Sequence, residues 1–137
     1  MGRLALGIAS LVAVALPALA DAAPTIADMR GHRRILILAA ASPAGRRVAQ
    51  QRQLLARWSR GAAARDLTVV TINGARVTGA ADRSTLLRRR WHLPPGEFQA
   101  VLIGKDGREA ARWSHPVSAA VLQRTIDAMP MRRAGER

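Results

Sequence analysis

Two apolar runs, separated by enough chain for one helix, constrain the fold more than any other feature of this sequence. Residues 35–38 read Ile-Leu-Ile-Leu, and a second run rich in β-branched residues extends from Leu67 to Ile72. An uninterrupted apolar run is typical of a strand buried on both faces of a sheet. The segment from Arg46 to Arg60 has helical spacing. Four of its residues share one side and are predicted to face the core: Val48, Gln51, Leu55 and Trp58.

This strand, helix, strand order predicts a parallel pair of strands. After a loop that contains Gly74 and Gly79, residues 84–91 are predicted to form a second helix with Asp82 as its cap. Three residues of this helix are predicted to face inward: Leu86, Leu87 and Trp91. The order so far is that of a protein with a central sheet flanked by helices.

The last third of the chain predicts a hairpin and a closing helix. Residues 98–103 and 108–113 flank an Asp-Gly turn, which favours an antiparallel hairpin. Ser118 is a suitable cap for a last helix, which Pro130 ends. The complete order β-α-β-α-β-β-α predicts a thioredoxin-like α/β fold, with a central mixed sheet flanked by helices.

The residue types present exclude several kinds of chemistry. The 137 residues include no cysteine, which excludes disulfides, thiolate metal sites and thiol redox catalysis. His32, His92 and His115 lie far apart, and none has a metal-binding partner at i+3 or i+4. We therefore expect no metal and no other cofactor.

The chain is strongly basic. Lys and Arg number 22 against 9 acidic residues, which gives a formal net charge of +13. All but one of the basic residues are Arg, which binds carboxylates and phosphates with two parallel hydrogen bonds. An Arg-rich and Ala-rich chain is also what a GC-rich genome encodes, so composition alone leaves both explanations open.

The amino terminus has the layout of a secretory signal peptide. Arg3 precedes an apolar run from Leu4 to Leu16, and Ala18 and Ala20 occupy the small-residue positions of a cleavage site. The run is shorter than the roughly 20 residues that span a bilayer, so no stable membrane anchor is expected. We predict a signal peptide over residues 1–20 with cleavage near Ala20, and a periplasmic or secreted mature protein. Residues 21–33 are predicted to be a flexible lead-in to a domain over residues 34–133.

Three segments carry a resemblance to a known family. They are Arg65-Asp66-Leu67, Leu102-Ile103-Gly104-Lys105-Asp106-Gly107 and Ile126-Asp127-Ala128-Met129-Pro130-Met131-Arg132-Arg133. In these segments the chain resembles a bacterial family of domains of unknown function with a thioredoxin-like fold, related to the carboxy-terminal domain of sushi-repeat-containing secreted proteins. The resemblance covers residues 34–133. It implies a thioredoxin-like scaffold outside the cytoplasm, without an established activity.

The start of the first long helix is the candidate binding site. Ser42 and Pro43 precede that helix, and Arg46 and Arg47 lie in its first turn, where backbone N–H groups attract anions. Ser42 is interpreted as a helix cap rather than a nucleophile, because no base lies near it in the sequence, and no catalytic residue is assigned. Three further residues complete the candidate site: Arg57, Arg60 and Pro95.

These residues predict a non-catalytic binding module of the cell envelope, whose partner is an envelope protein or an anionic ligand. Nucleic acid is not expected as a partner, because the few aromatic residues fall on apolar faces and the protein is predicted to be exported. The alternative is an enzyme without a thiol. It would use the cleft between the helix start and the Pro94-Pro95 loop, with His92 as its base.

Overall fold

The computed structural model describes residues 22–40 and 45–135. In chain order the elements are α1 (Ile26–Met29), β1 (Arg34–Ala40), α2 (Arg46–Arg57), α3 (Ser59–Ala63), β2 (Leu67–Asn73), β3 (Arg76–Thr78), α4 (Ser84–Arg90), β4 (Gln99–Ile103), β5 (Glu109–Trp113), α5 (Ala119–Asp127) and α6 (Pro130–Arg133). The predicted order is confirmed, and the structure adds α1, α3, α6 and β3 to it.

Two sets of predictions fall on residues outside this description. The predicted signal peptide over residues 1–20 is one, and the candidate site residues Ser42 and Pro43 are the other. Within the described part of the chain, no helix combines the length and the hydrophobicity needed to cross a membrane.

A five-stranded mixed sheet forms the centre of the domain, with the strand order β3-β2-β1-β4-β5. β1 runs parallel to β2 and antiparallel to β4, so that Leu36 lies between Val69 and Leu102. β4 and β5 form the predicted antiparallel hairpin. Every residue of β1 is buried, which explains the uninterrupted apolar run in the sequence. The fold is therefore a thioredoxin-like α/β fold.

Helices cover both faces of the sheet. Side chains alternate along a strand, so Ile35 and Ile37 of β1 pack with residues of α1 and α4, while Leu36 and Leu38 pack with residues of α2 and α5. The predicted inner side of the first long helix is confirmed, because Gln51 and Leu55 are buried, and Val48 and Trp58 pack against the same core while partly buried. This helix ends at Arg57 rather than Arg60, and α3 follows as a separate turn.

Part of the predicted lead-in belongs to the packed domain. Thr25 and Asp28 form a capping box around α1, and Ile26 is buried in the core. The Oδ2 atom of Asp82 accepts a hydrogen bond of 2.7 Å from the backbone N–H of Ile26. The prediction that Asp82 caps the second helix is therefore wrong. The N-cap of α4 is Arg83, whose side chain makes no capping hydrogen bond.

Two further predictions, on the loop after β2 and on Leu86, are wrong. The loop predicted between Gly74 and Gly79 contains the edge strand β3, in which Thr78 pairs with Thr71. Three residues are too few for an alternating pattern to be recognised in the sequence. Leu86 was predicted to face inward, but it is 56% exposed.

Candidate functional site

A cavity of about 570 Å³ lies at the start of α2. It is formed by the end of β1, the first turn of α2, the loop before β4 and the residue after β5. Its lining residues are Ala40, Gly45, Arg46, Arg47, Val48, Gly96, Glu97, Phe98 and Ser114. In open α/β sheets, ligands bind beyond the carboxyl ends of the parallel strands, and this is the end of the sheet where the cavity lies.

The first turn of α2 gives the cavity its electrostatic character. The N-cap is Gly45, which has no side chain to accept hydrogen bonds from the first turn. The predicted cap, Ser42, lies outside the described residues. The first turn holds no acidic residue, and Arg46 and Arg47 are both exposed there. The start of a helix presents N–H groups and a positive partial charge, both of which attract anions.

The opposite wall of the cavity supplies one carboxylate and one aromatic ring. Glu97 is exposed, whereas Phe98 is buried at 7% exposure. Across the cavity, the Nη1 atom of Arg47 donates a hydrogen bond of 3.3 Å to the backbone carbonyl of Ser114. The lining thus carries two guanidinium groups and one carboxylate beside an apolar patch. It suits a ligand with an anionic group and an apolar part.

Not every residue assigned to this site from the sequence reaches the cavity. Arg57 lies at the far end of α2, about 16 Å along the helix axis from Arg46. Arg60 is an exposed residue of α3, and neither side chain lines the cavity. Pro95 is exposed and also lies off the lining. No cis peptide bond occurs in the described residues.

Arg88 of α4 and His92, which follows this helix, differ in their relation to the cavity. Arg88 points inward, and its Nη2 atom donates a hydrogen bond of 3.0 Å to the carbonyl of Ala40 at the edge of the cavity. His92, the proposed base of the alternative enzyme, is exposed and does not line the cavity. The described residues also include no group of three or more His, Asp or Glu side chains that could hold a metal ion.

A polar network lies at the opposite end of the sheet, where β1 and β2 begin and β4 ends. Arg34 is 1% exposed, and its Nη1 atom donates a hydrogen bond of 2.9 Å to the carbonyl of Arg65. Arg65 in turn forms two hydrogen bonds, of 2.9 and 2.8 Å, with the carboxylate of Asp127. The Nζ atom of Lys105, 5% exposed, lies 2.8 Å from Oδ2 of Asp66. The network therefore holds the first strands to the last helices.

The pKa shifts in this network follow from these contacts. The hydrogen bond from Lys105 lowers the pKa of Asp66, and burial opposes that effect only in part. The hydrogen bond from Arg65 likewise lowers the pKa of Asp127. Burial lowers the pKa of Arg34, and the positive charge of Arg132 adds to that effect. Both carboxylates are thus ionised at neutral pH and engaged by cations.

A family model for a domain of unknown function, DUF4174, matches residues 25–135. The chain belongs to the DUF4174 family. The matched range begins at the capping box of α1. The DUF4174 domain therefore includes α1, which lies within the predicted lead-in.

Comparison with known proteins adds little to this assignment. No curated protein matches the sequence. Among solved structures, the chain is similar to a crystal structure of Trgpx in its apo form, with 20% sequence identity and a TM-score of 0.45. That match covers 76% of this chain and 89% of the other. Similarity at this level carries no argument about ligand or activity.

The segments that carried the family resemblance meet in the polar network of the DUF4174 domain. Asp66 comes from the first segment, Lys105 from the second and Asp127 from the third. Sequence analysis did not identify this cluster as a site, and it also missed Glu97 and Ser114 of the α2 cavity. One signal for the network was present in the sequence, because Arg34 directly precedes the apolar run of a buried strand.

Proposed function

We propose that this domain is a non-catalytic thioredoxin-like binding module, which holds an anionic group of its ligand in the cavity at the start of α2. The observation that carries the proposal is a helix start whose N-cap residue is Gly45, together with Arg46 and Arg47, beside a cavity of about 570 Å³. A thioredoxin-like enzyme uses cysteines near this helix start, and this chain has none. What the scaffold retains at this position is a positive helix end and two guanidinium groups.

The ligand is an envelope protein or a smaller molecule with an exposed carboxylate or phosphate. Val48 and Phe98 offer it an apolar contact, and Glu97 disfavours a ligand that is negative over its whole surface. Export to the periplasm or beyond is part of the proposal, supported by the signal-peptide layout of residues 1–20. The relation to the carboxy-terminal domain of sushi-repeat proteins is also proposed, on the resemblance of the three segments named above.

A titration with pyrophosphate, followed by backbone amide NMR, tests the site. We expect the largest changes in amide chemical shift at residues 45–48, because the N–H groups of the first turn bind the anion directly. The double variant Arg46→Glu/Arg47→Glu should abolish these changes. The double variant Arg57→Glu/Arg60→Glu makes the same change in net charge away from the cavity, and it should preserve them.

The same two variants test the natural partner. Recovery of partners from an envelope extract should fall with rising salt, because exposed charges are screened beyond about 8 Å at physiological ionic strength. It should be lost in Arg46→Glu/Arg47→Glu and kept in Arg57→Glu/Arg60→Glu. If both variants lose pyrophosphate binding equally, or if the shift changes spread over all arginines, the basic charge acts only as a diffuse field and the proposal is wrong.

A further inference from the structure

A second cavity, of about 270 Å³, lies at the end of the sheet opposite the α2 cavity. It is formed by the start of β1, the turn between β4 and β5, and the connection from α5 to α6. Two of its lining residues are the buried cations of the polar network, Arg34 and Lys105. No element of the proposed function uses this cavity.

Arg34 is the residue that indicates a ligand in this cavity. Its Nε atom is buried and has no hydrogen-bond partner among the described residues. Its Nη1 atom bonds to a neutral carbonyl, that of Arg65, rather than to a carboxylate. A buried guanidinium without a facing anion is costly, because it has lost its hydration without gaining a counter-charge.

The acidic residues near Arg34 are already engaged. Asp66 is bound by Lys105, and Asp127 is bound by Arg65 and Arg132. Glu109 lines the second cavity, but its carboxylate forms an ion pair of 2.8 Å with Arg112. Asp106 also lines the cavity, and its Oδ1 atom accepts a hydrogen bond of 3.0 Å from the backbone N–H of Arg108. The lining holds three cations, Arg34, Lys105 and Arg108, against two carboxylates, Asp106 and Glu109, so positive charge exceeds negative charge there, and an added anion would correct the imbalance.

The rest of the lining combines three exposed charged residues, Asp106, Arg108 and Glu109, with an apolar side. Met129, Pro130 and Met131 form one side of the cavity, and Ala110 of β5 lies on another. Methionine side chains are flexible and adapt to ligands of different shape. Of the two buried cations in the lining, Lys105 is already paired with Asp66, whereas Arg34 forms no ion pair among the described residues. A cavity with an apolar side and one such cation suits a small molecule that is apolar except for a single acidic group.

We propose that this cavity binds a small amphipathic carboxylate, with its carboxylate at the guanidinium of Arg34 and its apolar part against Met129 and Met131. The two parallel N–H groups of a guanidinium match the two oxygens of a carboxylate. The partnerless Nε atom would be one of the donors. This second site is independent of the α2 cavity.

Calorimetry with two matched pairs of probes tests the proposal: octanoate against octanol, and benzoate against benzyl alcohol. At least one carboxylate should bind the native protein at millimolar concentration or below, and its alcohol at least about tenfold more weakly, because only the carboxylate forms charge-assisted hydrogen bonds with Arg34. Arg34→Met should weaken carboxylate binding by a similar factor. Arg89→Met removes an exposed arginine of α4 and should leave binding unchanged.

A second variant keeps the test decisive if circular dichroism shows that Arg34→Met does not fold. Ala110→Trp places a large side chain in the cavity from an exposed strand position and leaves every charge in place, so it should block binding. Arg46→Glu/Arg47→Glu should have no effect, which separates this site from the proposed function. The proposal is wrong if neither carboxylate binds, if the alcohols bind equally well, or if Ala110→Trp binds as the native protein does.

Discussion

Gln51 and Val117 exchange two hydrogen bonds across the interior of the protein. The Nε2 atom of Gln51 donates to the carbonyl oxygen of Val117 at 2.9 Å, and the backbone N–H of Val117 donates to Oε1 of Gln51 at 2.7 Å. Both residues are buried. This pair fixes α2 to the loop before α5, the same loop whose Ser114 accepts a hydrogen bond from Arg47 at the cavity. The position of the α2 cavity thus depends on one buried amide.

Replacing that amide should be costly. Gln51→Leu keeps a similar volume but leaves a buried N–H and a buried carbonyl without partners, and we expect a loss of about 2–4 kcal/mol in the free energy of unfolding. Urea denaturation measures this loss. Gln53→Leu, an exposed change two residues away, should stay within about 0.5 kcal/mol of the native protein. Equal effects of the two variants would contradict the role given to the pair.

Stability should depend on pH through Asp66. Its folded pKa is lowered below 3.8 by the hydrogen bond from Lys105, so its contribution is present above the unfolded pKa and is lost as pH falls through the folded pKa. Asp66→Asn leaves Lys105 buried without a counter-charge and should cost about 1–3 kcal/mol at neutral pH. Urea denaturation across the acid range should show the native and variant proteins converging as pH falls below the unfolded pKa. A difference that stays constant into strong acid would rule this out.

Adjacent leucines on α4 should respond very differently to truncation. Leu87 is 2% exposed and lies in the core, so Leu87→Ala should cost about 2–5 kcal/mol. Leu86 is 56% exposed, and Leu86→Ala should stay within about 0.5 kcal/mol. Thermal or urea unfolding of the two variants is a direct comparison, and a large cost at Leu86 would show that its surface is covered in solution.

These leucines also show how far the sequence determines the fold. Periodicity over the long helix placed Gln51 on the inner side correctly, although it is polar. Over the seven residues of α4 the same reasoning failed for Leu86, because two turns do not define a face. The partner of Gln51 is 66 residues away, and no local pattern indicates it.

The candidate sites likewise contain some residues that the sequence predicted and others that it did not. Arg46 and Arg47 lie in the first turn of α2, as the helical spacing that begins at Arg46 predicts. Sequence analysis placed Pro95 at the cavity, where the structure has Gly96 and Glu97, since a loop's path is set by tertiary contacts. The cluster around Arg34 joins residues from four separate segments, so only the folded chain brings it together.

A substitution at Gly79 tests how closely the chain after the short edge strand β3 packs against β2. Its φ is +88°, a left-handed conformation that favours glycine, and a Cβ atom there would collide with the carbonyl oxygen of Val69. Gly79→Ala should therefore cost at least about 2 kcal/mol, from backbone strain and from the collision together. Gly74→Ala separates the two causes. Its φ is +60°, but a Cβ would meet no atom within 4 Å, so strain alone should cost about 1 kcal/mol.

Gly96→Ala completes this series. A Cβ at Gly96 meets no atom within 4 Å, and the φ of Gly96 is not positive. The free energy of unfolding of Gly96→Ala should therefore lie within about 0.5 kcal/mol of that of the native protein. Urea denaturation of all three variants should give the order Gly79, Gly74, Gly96 in decreasing cost. If Gly79→Ala costs no more than Gly74→Ala, the backbone of β2 yields to the added methyl group. The link between β2 and the segment after β3 would then be looser than the contact at Val69 implies.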